Sequence, residues 1–118
     1  MAKVDISAWA KKTGSTLDQA TRAIQIELFS GVIRDTRVDT GRMRGNWQAS
    51  TMTPIRTETK REDKSGSATI TDMISEVGVG TITYLTNNLP YVGIYEQKDG
   101  MVAKNMARIE TIVRKETR

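Results

Sequence analysis

Apolar residues recur at helical spacing near both ends of the chain and at two-residue spacing between them. Leu17, Ala20, Thr21, Ile24, Leu28 and Val32 fall at three- and four-residue steps, which puts them on one face of a helix about five turns long. Ser15 followed by Asp18 has the look of a capping box, so the helix is expected to start there and to end by about Val38. Ile26, Phe29 and Ile33 form a second apolar shoulder, which implies either a wide buried face or a contact with another subunit. Gly31 is a weak point inside it. Residues 1–13, with Val4, Ile6 and Trp9, fit either a short strand or a helical lead-in.

Between residues 45 and 53, Trp47, Ala49 and Thr51 alternate with Asn46, Gln48 and Ser50, the pattern of a half-buried strand. Pro54 bends or edges that strand, and Ile55 to Thr59 are expected to extend it. The charged run KREDK at 60–64 and Ser65-Gly66-Ser67 then read as a hairpin tip or a flexible arm spanning about 56–68. Residues 68–79, rich in β-branched side chains, are expected as the return strand. Gly78 and Gly80 suggest a turn or bulge rather than a nucleotide loop, since neither the P-loop nor the dinucleotide fingerprint is present. Residues 81–86 read as a third strand.

Asn87-Asn88 make a turn, and Pro90 suits the first turn of a short helix carrying Tyr91, Val92, Ile94, Tyr95 and Glu96, which residues 97–100 break. Val102, Met106, Ile109 and Val113 define a last helix. The expected fold is α+β: a small, mostly antiparallel sheet of three to four strands, with a long N-terminal helix, a short helix and a C-terminal helix packed on it. The 118 residues form one domain, and nothing in the pattern repeats.

Composition narrows the chemistry. Cysteine and histidine are both absent, which removes disulfides, thiol nucleophiles, the usual zinc ligands and any Ser-His arrangement. Asp39, Glu76 and Glu96 belong to separate elements, so no spacing argument gathers them into a metal site or an acid–base pair. Only 37% of residues are hydrophobic and 27% are charged, so the core is economical and a small sheet with free edges favours burial against further subunits. The N-terminus lacks a signal-peptide pattern and no stretch is long enough to span a membrane, which implies a cytoplasmic start and no membrane partner. A formal charge of +4 from 18 basic and 14 acidic residues is compatible with an anionic polymer but does not demand one.

The densest chemistry lies in VDTGRMRGNWQAS, residues 38–50. Asp39-Thr40-Gly41 is turn chemistry, and Trp47 is large enough to anchor a core or an interface. Arg34, Arg37, Arg42 and Arg44, with Lys60, Arg61 and Lys64 from the charged run, are the candidates for a subunit interface or a DNA-facing surface. Asp35 and Asp39 sit among them as local ion-pair partners. Tyr91 and Tyr95 would stack on bases only if exposed together; core packing is the simpler reading.

The residues DTGRMRGNWQAS at 39–50, followed some thirty positions later by TYLTNNLPYVGIYEQKDGMV at 83–102, resemble the tail-completion and neck proteins of long-tailed bacteriophages, the group that includes the minor tail protein Z type. Those proteins carry a "DTGxLRxxW" turn into a strand and an "I-x-NxxPYAxxxExG" segment before a terminal helix. Asp39, Thr40, Gly41, Arg42, Arg44 and Trp47 match the first block. Asn88, Pro90, Tyr91, Glu96, Gly100 and Met101 match the second. The link QKDGMV after Glu96 departs from the pattern, being shorter and more charged.

The resemblance implies a virion structural protein, assembled in the host cytoplasm and located in the neck or tail. It implies a homo-oligomeric ring, of six subunits, between the head connector or adaptor and the tail tube or tail terminator. It implies no reaction and no cofactor, and transient contact with packaged DNA where the ring lines the channel. The alternative is a small basic nucleic-acid-binding protein, supported by charge alone. A hydrolase has no constellation of residues to support it.

Overall fold

The computed structural model describes residues 6–78 and 82–116. In chain order these form α1 (Ile6–Thr13), α2 (Leu17–Asp35), α3 (Arg42–Gly45), β1 (Trp47–Thr51), α4 (Ser67–Glu76), β2 (Thr83–Asn87), α5 (Val92–Asp99) and α6 (Met101–Glu116). The fold is α+β, with a two-stranded antiparallel sheet among the described residues rather than the expected three to four strands. The lead-in to α2 is helical from Ile6. Residues 79–81, on which part of the glycine turn and the start of the third strand fall, lie outside the described residues.

α2 is the spine. Its N-cap is Thr16, one residue later than expected, with a complete capping box: Thr16 Oγ1 accepts from Gln19 N and Gln19 Oε1 accepts from Thr16 N, each at 3.1 Å. The helix lies between two clusters of buried side chains. Val32 and Ile33 join Trp47, Met73, Val77 and Met101 on one side, while Ile24 joins Ile109 and Val113 on the other. The second apolar shoulder is therefore filled from within the chain: Ile33 is fully buried, and Ile26 and Phe29 pack on the first cluster. Leu17, which begins the expected stripe, is exposed.

Where a return strand was expected at 68–79, the described residues form a helix, α4, over Ser67–Glu76. Its β-branched residues read as alternating, but Thr69, Met73 and Val77 are buried at four-residue steps, with Ile70 and Ile74 beside them on the core. β-propensity describes fit to a half-buried pleated surface, and the surface offered here suits a helix instead. The helix start is fixed by Asp63, whose Oδ2 accepts from Thr69 N at 2.8 Å and Thr69 Oγ1 at 2.7 Å while Oδ1 accepts from Gly66 N at 3.1 Å. With a helix where the return strand was expected, the 56–68 stretch is not a hairpin. It runs across β1 and α3, held by bonds described below.

Burial by itself would raise the Asp63 carboxyl, but the hydrogen bonds from Thr69, Gly66 and Ser65 outweigh it and hold the pKa below the ordinary carboxylate value. A lowered folded-state pKa gives stability that is present above the unfolded value, about 3.9, and is lost as pH falls through the folded value. The thermal midpoint of the wild type should therefore drop more steeply below about pH 4 than that of Asp63→Asn, which carries no titrating group there. Parallel acid profiles for the two proteins would refute this role.

In α6 the buried line is Met101, Asn105, Ile109 and Val113: Ile109 and Val113 are buried as expected, whereas Val102 is exposed, Met106 is half-buried, and Met101 and Asn105 take the core positions of the first two turns. The cause is Asn105, a polar residue in a core position, whose Nδ2 donates to Met101 O at 2.7 Å and Asp35 Oδ2 at 2.9 Å. Gly31 makes room for it. A Cβ at that position would stand 2.0 Å from Asn105 Oδ1, so the glycine that weakens α2 locally also lets α6 approach. Arg108 closes this contact, bonding Asn105 Oδ1, Glu27 Oε1 and Glu27 O.

β1 and β2 pair in the register Trp47↔Asn87, Ala49↔Leu85 and Thr51↔Thr83. Trp47, Ala49 and Leu85 face the core, so Gln48, Ser50, Tyr84 and Thr86 lie on the opposite face. The extended chain after β1 crosses that polar face: Gln48 Nε2 donates to Thr57 O at 2.7 Å and Thr86 Oγ1 to Ile55 O at 3.2 Å. No helix among the described residues is long and apolar enough to cross a membrane.

Candidate functional site

The corner between α2 and β1 is built from close backbone approach. Gly41 has φ +88°, and its carbonyl accepts from Gly45 N at 2.8 Å and from Asp63 N at 3.0 Å. A Cβ on Gly41 would come within 2.6 Å of Lys64 N, and one on Gly45 within 2.5 Å of Arg61 O. The two glycines, four residues apart on one turn of helix, are thus the bed on which the 61–64 backbone lies. Asn46, fully buried, fastens the same segment: Nδ2 donates to Arg42 O at 2.8 Å and Oδ1 accepts from Thr59 N at 2.9 Å. Trp47 Nε1 donates to Thr36 Oγ1 at 2.8 Å, and Thr36 in turn donates to Val32 O at 2.7 Å, which ties β1 to the last turn of α2.

The arginines sort into two groups. Arg44 donates to the carbonyls of Arg34 (2.7 Å), Thr36 (3.0 Å) and Lys64, so one guanidinium joins the end of α2 to the charged run. Arg61 donates to Gly45 O at 2.9 Å and Trp47 O at 3.0 Å and pairs with Asp72. Both act inside the chain. Arg37 forms a two-pronged pair with Asp99 at 2.6 and 2.7 Å and lies 4.6 Å above the Tyr95 ring, while Arg42 meets Glu58 at 3.1 Å. Arg34 stands 3.9 Å from Glu27 on the surface. Lys60 and Lys64 are exposed, as is Arg56, which sequence reasoning overlooked.

The second block meets the first. Asp39, Thr40, Gly41, Arg42 and Met43 from the corner and Tyr91 and Tyr95 from α5 and its entry, with Arg37, line one cavity of about 170 Å³. The two tyrosine rings stand edge to face, 6.0 Å apart and 85° between planes. The hydrogen bonds of Arg37 hold the Asp99 carboxyl below its usual range and raise the guanidinium above its own. Glu96 acts locally. Its carboxylate accepts from Val102 N at 2.8 Å and Ala103 N at 3.2 Å, capping α6, while Gly100 at φ +64° turns the chain between the helices.

Asn88 Nδ2 donates to Ile55 O at 2.9 Å and Thr57 O at 3.2 Å, and neighbouring Asn87 Nδ2 to Met43 O at 2.8 Å, so Asn87 ties the second block to the first and Asn88 ties it to the segment that follows the first. Pro90 sits exposed in the turn that enters α5. The acids considered together from sequence are apart: Asp39 at this cavity, Glu96 on α5 where it caps α6, and Glu76 beside a different hollow between β1 and α4. Among the described residues no three carboxylates gather as a metal site.

Asn46, Asp63 and Thr36 are the residues that sequence reasoning missed. Each is a buried polar side chain that fastens an element end or a turn, and of the three only Asn46, between Gly45 and Trp47, carried a local signal. No protein family, no curated protein and no solved structure matches the chain.

Proposed function

We propose that the chain is a structural subunit of a tailed-phage particle, assembling as a ring of six at the head–tail junction, where it completes the tail and joins it to the head connector or adaptor. The observation that carries this reading is the meeting of the two sequence blocks on which the resemblance rests. They are some thirty residues apart in the chain, yet they surround one cavity and are joined by the Asn87 Nδ2 bond to Met43 O, with Asn88 and the Arg37–Asp99 pair holding the second block to the chain on either side of the first. Residues that share a motif and a structural unit have a reason to occur together. The chemistry of that unit is contact: its arginines, tyrosines and turn hold backbone and one another.

The positive charge left for a DNA-lined channel is Arg56, Lys60 and Lys64, all exposed on the segment that crosses the corner. Arg44 is unsuited to a test of that role, because glutamate there would break the bonds to three carbonyls. Lys60→Glu with Lys64→Glu should leave the fold intact and slow DNA ejection from particles assembled with the variant, as judged by ejection kinetics. For the ring itself, native mass measurement and negative-stain images of purified subunit added to connector or tail preparations should show closed rings bound to one of the two. A monomer that adds to neither would sink the proposal.

A further inference from the structure

The two edges of the small sheet are treated differently. The outer side of β1 is blocked at its start: Arg61 donates to Gly45 O, just ahead of the strand, and to Trp47 O, so one guanidinium takes the place of the first bonds of a neighbouring strand. The outer side of β2 has nothing equivalent among the described residues. Among the described residues, no backbone hydrogen bond outside the β1–β2 ladder involves residues 83–87, and no side chain bonds their main-chain groups there. Natural edges are commonly guarded by lysine, proline or a bulge. β2, TYLTN, has none of these, and the whole stretch from Val77 to Tyr95 contains no charged residue in a chain that is 27% charged. Ile82, directly ahead of β2, is 68% exposed, and Met52 beside it at the end of the ribbon is 85% exposed.

We infer that β2 pairs antiparallel with β2 of a second copy of this chain, giving a continuous four-stranded sheet with the order β1-β2-β2-β1 across a twofold axis. An antiparallel edge is its own complement under a twofold rotation. The absence of charge is what selects the occupant: a copy brings no like charge against itself anywhere along this edge, whereas recognition of a charged peptide would find no counter-charge. Two strands alone are a marginal sheet, and four bring each β2 into the interior. The outer edge of β1 is engaged at both ends, by Arg61 at Trp47 O and by Thr53 N at Thr51 O, which disfavours further strands there, so the assembly closes at two copies and does not grow into a fibre. This pairing concerns the free subunit in solution and does not rest on the phage reading.

Sedimentation of the full chain tests it. The wild type is expected to be dimeric. Tyr84→Lys and Tyr84→Glu, on the polar face of β2, should each sediment as monomers with unchanged circular dichroism, and an equimolar mixture of the two should recover the dimer through opposite charges. A monomeric wild type, an oligomer that neither substitution dissociates, or a mixture that stays monomeric overturns the inference. Amide hydrogen exchange on the unaltered chain gives a second test that needs no variant. Alternate amides of residues 83–87 should exchange more slowly as protein concentration rises, and exchange independent of concentration overturns it.

Discussion

Gly41→Ala is expected to destabilise the chain by about 2–5 kcal/mol, from an αL penalty of roughly 1–2 kcal/mol and an overpacking cost of about 1–3 kcal/mol. The first contribution follows from φ +88° at this position. The second follows from what the new methyl meets: Lys64 N at 2.6 Å and Asp63 N and C at 2.8 Å, which are backbone atoms and cannot rotate away. Gly14 supplies the control. Its φ of +73° imposes the same backbone penalty, but nothing lies within 4 Å of a Cβ there, so Gly14→Ala should cost only the first part, about 1–2 kcal/mol. Urea unfolding of the two variants measures the difference directly. Equal losses would mean that the 61–64 segment does not press on the corner as described.

Trp47→Ala should cost about 3–5 kcal/mol, as expected for removing a buried large aromatic and leaving part of its cavity open. Trp47 is 6% exposed and belongs to the main cluster with Ile33, Met73 and Met101. It also supplies the hydrogen bond that joins β1 to Thr36. Trp47→Phe separates the two contributions, since it keeps much of the apolar volume and loses the indole N–H; its cost should be about 1–3 kcal/mol from the unpartnered Thr36 hydroxyl and the smaller ring. Thr36 retains its own bond to Val32 O, which limits the damage. Thermal or urea unfolding of both variants checks the order Ala worse than Phe worse than wild type. A tolerated Trp47→Ala would show that the tryptophan is not the pin of this corner.

The two substitutions probe opposite faces of one corner. Trp47 holds it to α2 from inside, and Gly41 with Gly45 receives the charged run from outside. The cavity shared by the two sequence blocks lies beside that corner, so its shape depends on both.

The sequence by itself determined the elements whose side chains report directly on burial. The three- and four-residue spacing from Leu17 to Val32 placed α2 to within a residue at its start, because a long helix repeats its signal several times. Trp47, Ala49 and Thr51 placed β1 for the same reason at period two. The turn at Asp39-Thr40-Gly41 was legible in its chemistry, since only glycine takes φ +88° without strain.

Tertiary structure decided the rest. Whether 67–76 became a strand or a helix depended on Asp63 capping it and on a core that accepts side chains at four-residue steps, neither of which is encoded in the β-branched composition of the segment. The face of α6 turned on Asn105, a polar residue made buriable by partners on α2 and by the space at Gly31. The arginine cluster gave no local sign of which guanidinium would face solvent. Arg44 and Arg61 ended inside because unpaired carbonyls at the end of α2 and along the outer edge of β1 needed donors, and those carbonyls exist only once the chain has folded.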